Sequence, residues 1–208
     1  MKHRQVNGRG VPVPFFVAYI DGKPDFRIAD PHKMLACVRR NVCWLCGETL
    51  GRNRVFVVGP ISTITRTSGE PPSHLECAQY AVKVCPFLIQ PSRPYRDSDK
   101  PVGVEPPGIN IKRNAGVIAL WTTRQYGAKR DGTGVLFRMG ASDSVVWYAE
   151  GRLATRAEVS VALDSGLPLV LQQVDSEEDT KDVTRAYARA LNYLPAAPAA
   201  NQEQACAQ

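Results

Sequence analysis

No run of about 18 apolar residues occurs anywhere in the 208-residue chain, so no membrane-spanning helix is expected. The start, Met1-Lys2-His3-Arg4-Gln5, leads into polar residues and glycine. It lacks an apolar h-region, so a secretory signal is not expected and the chain reads as cytoplasmic. A phosphate-cradling glycine loop of the Walker kind is missing, and so is a Gly-x-Ser-x-Gly nucleophile elbow. Their absence removes the common nucleotide-binding and serine-hydrolase readings. No internal repeat is visible. Histidine is scarce, with only His3, His32 and His74. The remaining composition, 44% apolar and 22% charged, is ordinary for a globular protein of one or two domains.

Cysteine is what the chain has in an unusual arrangement. Of six cysteines, Cys37, Cys43, Cys46, Cys77 and Cys85 lie within residues 37–85, and only Cys206 lies far away. A reducing compartment argues against disulfides, and a Cys-x2-Cys pair inside the cluster argues for metal. Cys43-x2-Cys46 is followed by His74-x2-Cys77. A Cys-x2-Cys-Gly turn aims two sulfurs at one point, and Gly47 eases the turn. Residues 74 and 77, three apart in the first turn of a helix, point the same way. Knuckle, hairpin, then ligands at a helix start is the order of a treble-clef finger. Four soft donors suit one tetrahedral, structural Zn2+. Cys85, eight residues beyond Cys77, stands about 12 Å further along a helix. Cys85 and Cys37 therefore read as core.

Around these ligands, local signals predict the elements. Residues 14–20 and 24–29 read as strands joined at Asp21-Gly22-Lys23. Asp30-Pro31 caps a helix over 31–40. Residues 54–58 and the β-branched run 61–67 read as a hairpin bent at Gly59-Pro60. Ser73 reads as the cap of a helix ending near Pro86. Three strands, 117–121, 135–139 and 145–148, read as one antiparallel sheet, with 127–134 and 140–144 as turns. Trp121, Trp147 and Tyr148 read as core. Thr155 with Glu158 has capping-box spacing. The helix it starts is expected to stop at Gly166, to restart at Leu167-Pro168, and to be followed by a last helix from Ser176 to about Leu194. The predicted class is α+β, with a treble-clef-like zinc finger in the N-terminal half, then a three-stranded antiparallel sheet and C-terminal helices. The expected organisation is a flexible 1–12, a zinc domain 13–90, a proline-rich linker 91–110, an α+β domain 111–194 and a disordered tail 195–208.

The net charge of +6 is unevenly placed. Residues 33–96 hold nine basic and three acidic side chains, whereas 151–208 hold five and eight. The basic excess thus accompanies the cysteines, and such a half attracts phosphate. Arg39, Arg40, Arg52, Arg54 and Arg66 are candidate contacts for nucleic acid or for an acidic partner. Trp44, inside the knuckle, either stacks on a base or packs over the metal site.

The runs Cys43-Trp-Leu-Cys-Gly-Glu-Thr-Leu-Gly51, Phe56-Val-Val-Gly-Pro60, Glu70-Pro-Pro-Ser-His-Leu-Glu-Cys-Ala78 and Trp147-Tyr-Ala-Glu-Gly-Arg-Leu-Ala-Thr-Arg-Ala-Glu-Val159 resemble a group of small proteins from bacteriophages and bacterial genomes. The resemblance spans most of residues 12–194. It implies a phage or prophage protein in a bacterial cytoplasm, with Cys43, Cys46, His74 and Cys77 as the zinc-type residues, and it implies no activity. Three functions follow as expectations. The first is a non-enzymatic zinc protein that binds nucleic acid through its basic half. The second is a factor that binds a host protein, with zinc as scaffold. The third, a treble-clef nuclease, needs a hairpin histidine, and residues 47–73 contain none.

Overall fold

A computed structural model of the chain describes residues 1, 3–8, 10–90, 115–132 and 134–197. The expected linker 91–110 and all of the tail beyond 197 lie outside the described residues, as does Cys206. The class is mixed α and β with antiparallel sheets, and the cysteine–histidine cluster sits in the N-terminal half. No helix among the described residues is long and apolar enough to cross a membrane.

The described part of 1–12, expected as loose, is hydrogen-bonded, with a Val6–Pro12 bridge and Val13 N–H donating to Gln5 O. β1 (Val17–Ile20) and β2 (Lys23–Ala29) follow as a hairpin. Asp21 and Gly22 both take positive φ, at 48° and 75°, which matches the twist of a two-residue turn. α1 (Pro31–Arg40) begins where Asp30 accepts from the N–H groups of His32 and Lys33. β3 (Arg54–Val58) appears as expected.

The predicted hairpin does not form as a ladder. Residues 60–65 are a helix, α2 (Pro60–Thr65), rather than a strand. Pro60 starts it, and the Thr63 and Thr65 hydroxyls turn back onto Gly59 O and Ile61 O. Ile61 and Ile64, three apart, are both buried, so tertiary packing overrides the β preference of branched residues. After α2 come β4 (Thr67–Ser68), α3 (Leu75–Val84) and α4 (Pro86–Ile89). What survives of the hairpin is one bridge, Val55 with Ser73, making two backbone hydrogen bonds.

Beyond the linker, β5 (Ile118–Thr123), β6 (Tyr126–Asp131), β7 (Gly134–Met139) and β8 (Ser142–Ala149) form one long antiparallel ribbon, followed by β9 (Arg152–Leu153). Residues 126–131, expected as a turn, are therefore a strand. Its exposed side chains lack apolar alternation because β6 is a sheet edge, where Lys129 and Arg130 discourage further pairing. The ribbon kinks at Thr123–Gln125 and Gly140–Ala141. There the Thr123 hydroxyl contacts the carbonyls of Gln125 and Ala141. A Cβ on Gly140 would lie 2.4 Å from Gln125 O, so only glycine fits the kink.

The kink sends the three predicted strands into two sheets, not one. The first has the order β3-β5-β8-β9 and the second β4-β7-β6. Both sheets join segments 13–90 and 111–194, which the sequence presents as separate domains. Five residue pairs along β3 and β5, from Arg54–Thr123 to Val58–Ala119, cross that boundary. Strand alternation then divides the core. Phe56, Val58, Ala119, Trp121 and Trp147 face one side, with Phe137 and Val159. Val55, Leu120 and Tyr148 face the other, against Ala78 and Val82 of α3. The first sheet is thus covered on one face by the helix that carries two of the candidate metal ligands.

α5 (Arg156–Leu171) and α6 (Glu177–Ala190) close the fold, followed by a short 3-10 turn over Leu191–Tyr193. α5 does not stop at Gly166. It runs through Gly166 and Pro168, because Gly166 is where α2 approaches. A Cβ there would lie 3.2 Å from Ile61 Cγ1. The capping box of Thr155 and Glu158 is present, and Arg152 joins it at 2.6 Å. The Arg152 guanidinium, with the Thr155 N–H, holds the Glu158 carboxyl down to about 2. A carboxyl lowered on folding contributes stability above its ordinary range near 4.5 and loses it as pH falls toward 2. Discounted for solvent exposure, Glu158→Gln is expected to cost about 0.5–1 kcal/mol at neutral pH. Thermal melts should show that difference vanish near pH 2.

Candidate metal centre

The knuckle is built by backbone. Cys43 N–H donates to Glu48 O, Gly47 N–H to Cys43 O, and a Val42–Thr49 bridge closes the base. Gly47 has φ +84°, and a Cβ there would meet Phe15 Cδ2 at 2.7 Å. Both the left-handed conformation and the aromatic neighbour therefore require glycine. Phe15 and Phe16 clamp the knuckle by donating their N–H groups to Leu45 O and Trp44 O. Trp44 N–H in turn reaches Pro72 O, just ahead of the second ligand pair.

His74 is the N-cap of α3, a place the sequence reading gave to Ser73. Ser73 is instead engaged in the bridge to Val55. The change helps the site, since His74 precedes the helix by one residue and Cys77 lies in its first turn. Cys43, Cys46 and Cys77 Sγ and one His74 ring nitrogen all lie within 4.8 Å of one another. Tetrahedral ligation with sulfurs about 2.3 Å from an ion needs sulfurs about 3.8 Å apart, so the cluster fits an ion with little movement. His74 Nδ1 faces Cys46 Sγ at 3.4 Å, while Nε2 lies 3.1 Å from Thr49 O. A carbonyl only accepts, so Nε2 carries the proton and the Nδ1 lone pair is free for the ion.

The sulfurs are prepared for charge. Cys43 Sγ accepts from the N–H groups of Cys46, at 3.4 Å, and His74, at 3.3 Å. The Cys77 thiol hydrogen bond, ahead of these backbone donors, draws Cys43 well below the ordinary thiol range. Cys77 is raised by giving that hydrogen bond to Cys43 and by burial. Cys46 is raised chiefly by burial. Three sulfurs packed beside an imidazole nitrogen are a set of donors that a dication completes. Metal uptake must displace the thiol protons of Cys46 and Cys77. Calorimetry in buffers of different ionisation enthalpy should show about two protons released per ion near neutral pH, and tighter binding as pH rises.

The other cysteines stay out of the cluster. Cys37 is the buried residue of α1, and burial pushes its thiol up to about 12. Cys85, half-buried at the junction of α3 and α4, is also a free thiol outside the group. A feature missed in the sequence is His3. Its Nε2 lies 3.1 Å from Cys46 O and its Nδ1 3.5 Å from Glu48, so the N-terminal segment folds over the knuckle. Forty-three residues separate His3 from Cys46, and no local pattern signals such a contact.

The candidate contact residues divide. Trp44 is 3% exposed and stacked on Phe16 at 5.0 Å, so it is core and offers no face to a base. Arg66 is spent internally, over the Trp121 ring at 5.4 Å and donating to the Tyr193 hydroxyl. Arg54 donates to Asn41 Oδ1, Arg52 O and Arg124 O, and is half-buried. Arg39, Arg40 and Arg52 are exposed and have no carboxylate partner among the described residues. No family model, no curated protein and no solved structure matches this chain.

Proposed function

We propose that this chain is a non-enzymatic structural-zinc protein of the phage and prophage type it resembles, acting in the bacterial cytoplasm and binding nucleic acid through arginines beside the zinc knuckle. The observation that carries the zinc is the convergence of three sulfurs and the unprotonated His74 Nδ1 on one point. Three thiolates and an imidazole form a soft tetrahedral set of the kind zinc takes in structural sites. Four protein ligands leave no open position for a reactive water. The ion then ties the knuckle to the start of α3, and through α3 to the first sheet. Knuckle and ligand-bearing helix are treble-clef-like parts. The hairpin between them is reduced to the Val55–Ser73 bridge, with α2 and β4 inserted.

Nucleic acid is favoured because Arg39, Arg40 and Arg52 stand exposed without acidic partners among the described residues. A host-protein partner is the second reading. It draws on Leu35, 42% exposed on the same helix as Arg39. Filter binding of mixed-sequence nucleic acid to the zinc-loaded full chain separates the two. Phosphate contact makes affinity fall steeply with salt, and the triple change of Arg39, Arg40 and Arg52 to glutamine should lose at least about tenfold in affinity. Absence of binding at low salt would remove nucleic acid as the ligand.

A further inference from the structure

Arg54 ties together three segments that are far apart in sequence. Its Nε donates to Asn41 Oδ1, at the end of α1. Its NH1 donates to Arg52 O ahead of β3 and to Arg124 O at the kink between β5 and β6, each at 2.9 Å. Its guanidinium also lies over the Tyr126 ring, 5.9 Å from the centroid. Asn41 is held in place on its own account. It takes the left-handed conformation at φ 51°, its amide donates to Leu50 O, and its carbonyl accepts from Leu50 N–H. The result is a braced corner where α1, the knuckle exit, β3 and the β5–β6 kink meet.

Each of those segments brings an arginine to the corner. Arg39 and Arg40 end α1, Arg52 precedes β3, and Arg124 lies in the kink, all four exposed. Among the described residues, only Arg124 of these has a carboxylate partner, Asp143 at 3.1 Å, and both side chains of that pair are solvent-exposed. An exposed pair of this kind contributes at most about 1 kcal/mol, so Arg124 can exchange it for a phosphate. Arg124 lies in the C-terminal segment, so no count of charge along the chain groups it with the others.

Among the described residues, the corner presents no aromatic face. Trp44 is buried, and Tyr126 is half-buried beneath Arg54, with Phe56 meeting it edge-on at 5.6 Å. Proteins that take single strands stack bases on exposed aromatic rings as well as gripping the backbone. A rigid group of guanidinium ions without such a platform suits phosphates whose spacing is already set by a helix.

We propose that Arg39, Arg40, Arg52 and Arg124, braced by Arg54, form one phosphate-binding surface, assembled from both halves of the chain, that takes the backbone of double-helical nucleic acid without reading its sequence. This rests on the nucleic-acid reading above and narrows it to one class of ligand.

The test is fluorescence anisotropy of the zinc-loaded full chain with a labelled mixed-sequence DNA duplex and with one of its strands alone. Arg124→Gln and Arg40→Gln are compared with Arg185→Gln, a control on α6 that pairs with Asp182. The duplex should bind more tightly than the strand. About four phosphate contacts predict a fall of about a hundredfold in affinity between about 50 and 200 mM salt. Arg124→Gln and Arg40→Gln should each lower the salt slope by about one, whereas Arg185→Gln should leave it unchanged. Unchanged melting curves for the two variants would establish that the effect is local. Equal or tighter binding of the strand would overturn this inference and leave the nucleic-acid function standing. Duplex binding insensitive to Arg124→Gln and Arg40→Gln would place the surface elsewhere. Failure to bind either form, with polyglutamate bound instead, would overturn both.

Discussion

Replacing Cys43 by serine is expected to remove nearly all bound zinc and to unfold the region from the knuckle to α3. Cys43 accepts from Cys46 N–H and His74 N–H, and the Cys77 thiol hydrogen bond draws it below the ordinary thiol range, toward the charged form that binds metal. A serine hydroxyl cannot take that charge near neutral pH. Structural zinc contributes on the order of 10 kcal/mol to folding in small domains, comparable to a typical domain's whole net stability of about 5–15 kcal/mol. The loss will be partly offset here, because α3 also packs Ala78 and Val82 on the sheet. The measurements are metal content by mass spectrometry and thermal melting with and without chelator. Cys85→Ser serves as the control and should keep its metal. Stoichiometric metal and an unaltered melt in the Cys43 variant would end the ligand assignment.

The second large effect is expected from Trp121→Ala. Trp121 is fully buried in β5, with its Nε1 donating to Gly140 O at 3.2 Å. Tyr193 meets its ring edge-on at 4.8 Å and Arg66 lies over its face. Truncation leaves a cavity at the meeting point of both sheets and the C-terminal turn. Removing a buried aromatic side chain of this size costs about 3–5 kcal/mol, and the stranded Gly140 carbonyl and Arg66 guanidinium add to it. Urea denaturation of the zinc-loaded chain should register the loss as a single transition, because β3 and β5 join the two segments. A loss below about 1 kcal/mol would contradict the packing, and two separate transitions would contradict the shared sheet.

The contrast between these two positions follows what a sequence can encode locally. Cys43 was legible because zinc imposes donor types and short spacings, which survive without knowledge of the rest of the chain. The Asp21-Gly22 turn, the Asp30 cap and the Thr155–Glu158 box were legible for a related reason, since each is completed by residues within four positions. Residues 60–65 were not, because their branched side chains favour a strand until Ile61 and Ile64 find the face of α5 at Gly166. Pro168 misled in the same way. It denies Asp164 O its helical donor, yet packing carries α5 past it. β6 was missed because an edge strand needs polar residues and so shows no apolar rhythm.

Among the candidate contacts, sequence alone could not tell an exposed arginine from one turned inward. Arg40 and Arg66 look alike in a charge count, but one is in solvent and the other lies against Trp121. By itself the chain determined its four candidate metal ligands, several of its turns and caps, and the residues of its core strands, because those rest on chemistry between near neighbours. The tertiary structure decided that both segments share their sheets, that the hairpin shrinks to one bridge, and that Arg124 joins Arg40 and Arg52 at one corner. Those outcomes depend on which distant surfaces bury each other, and burial is a property of the whole chain.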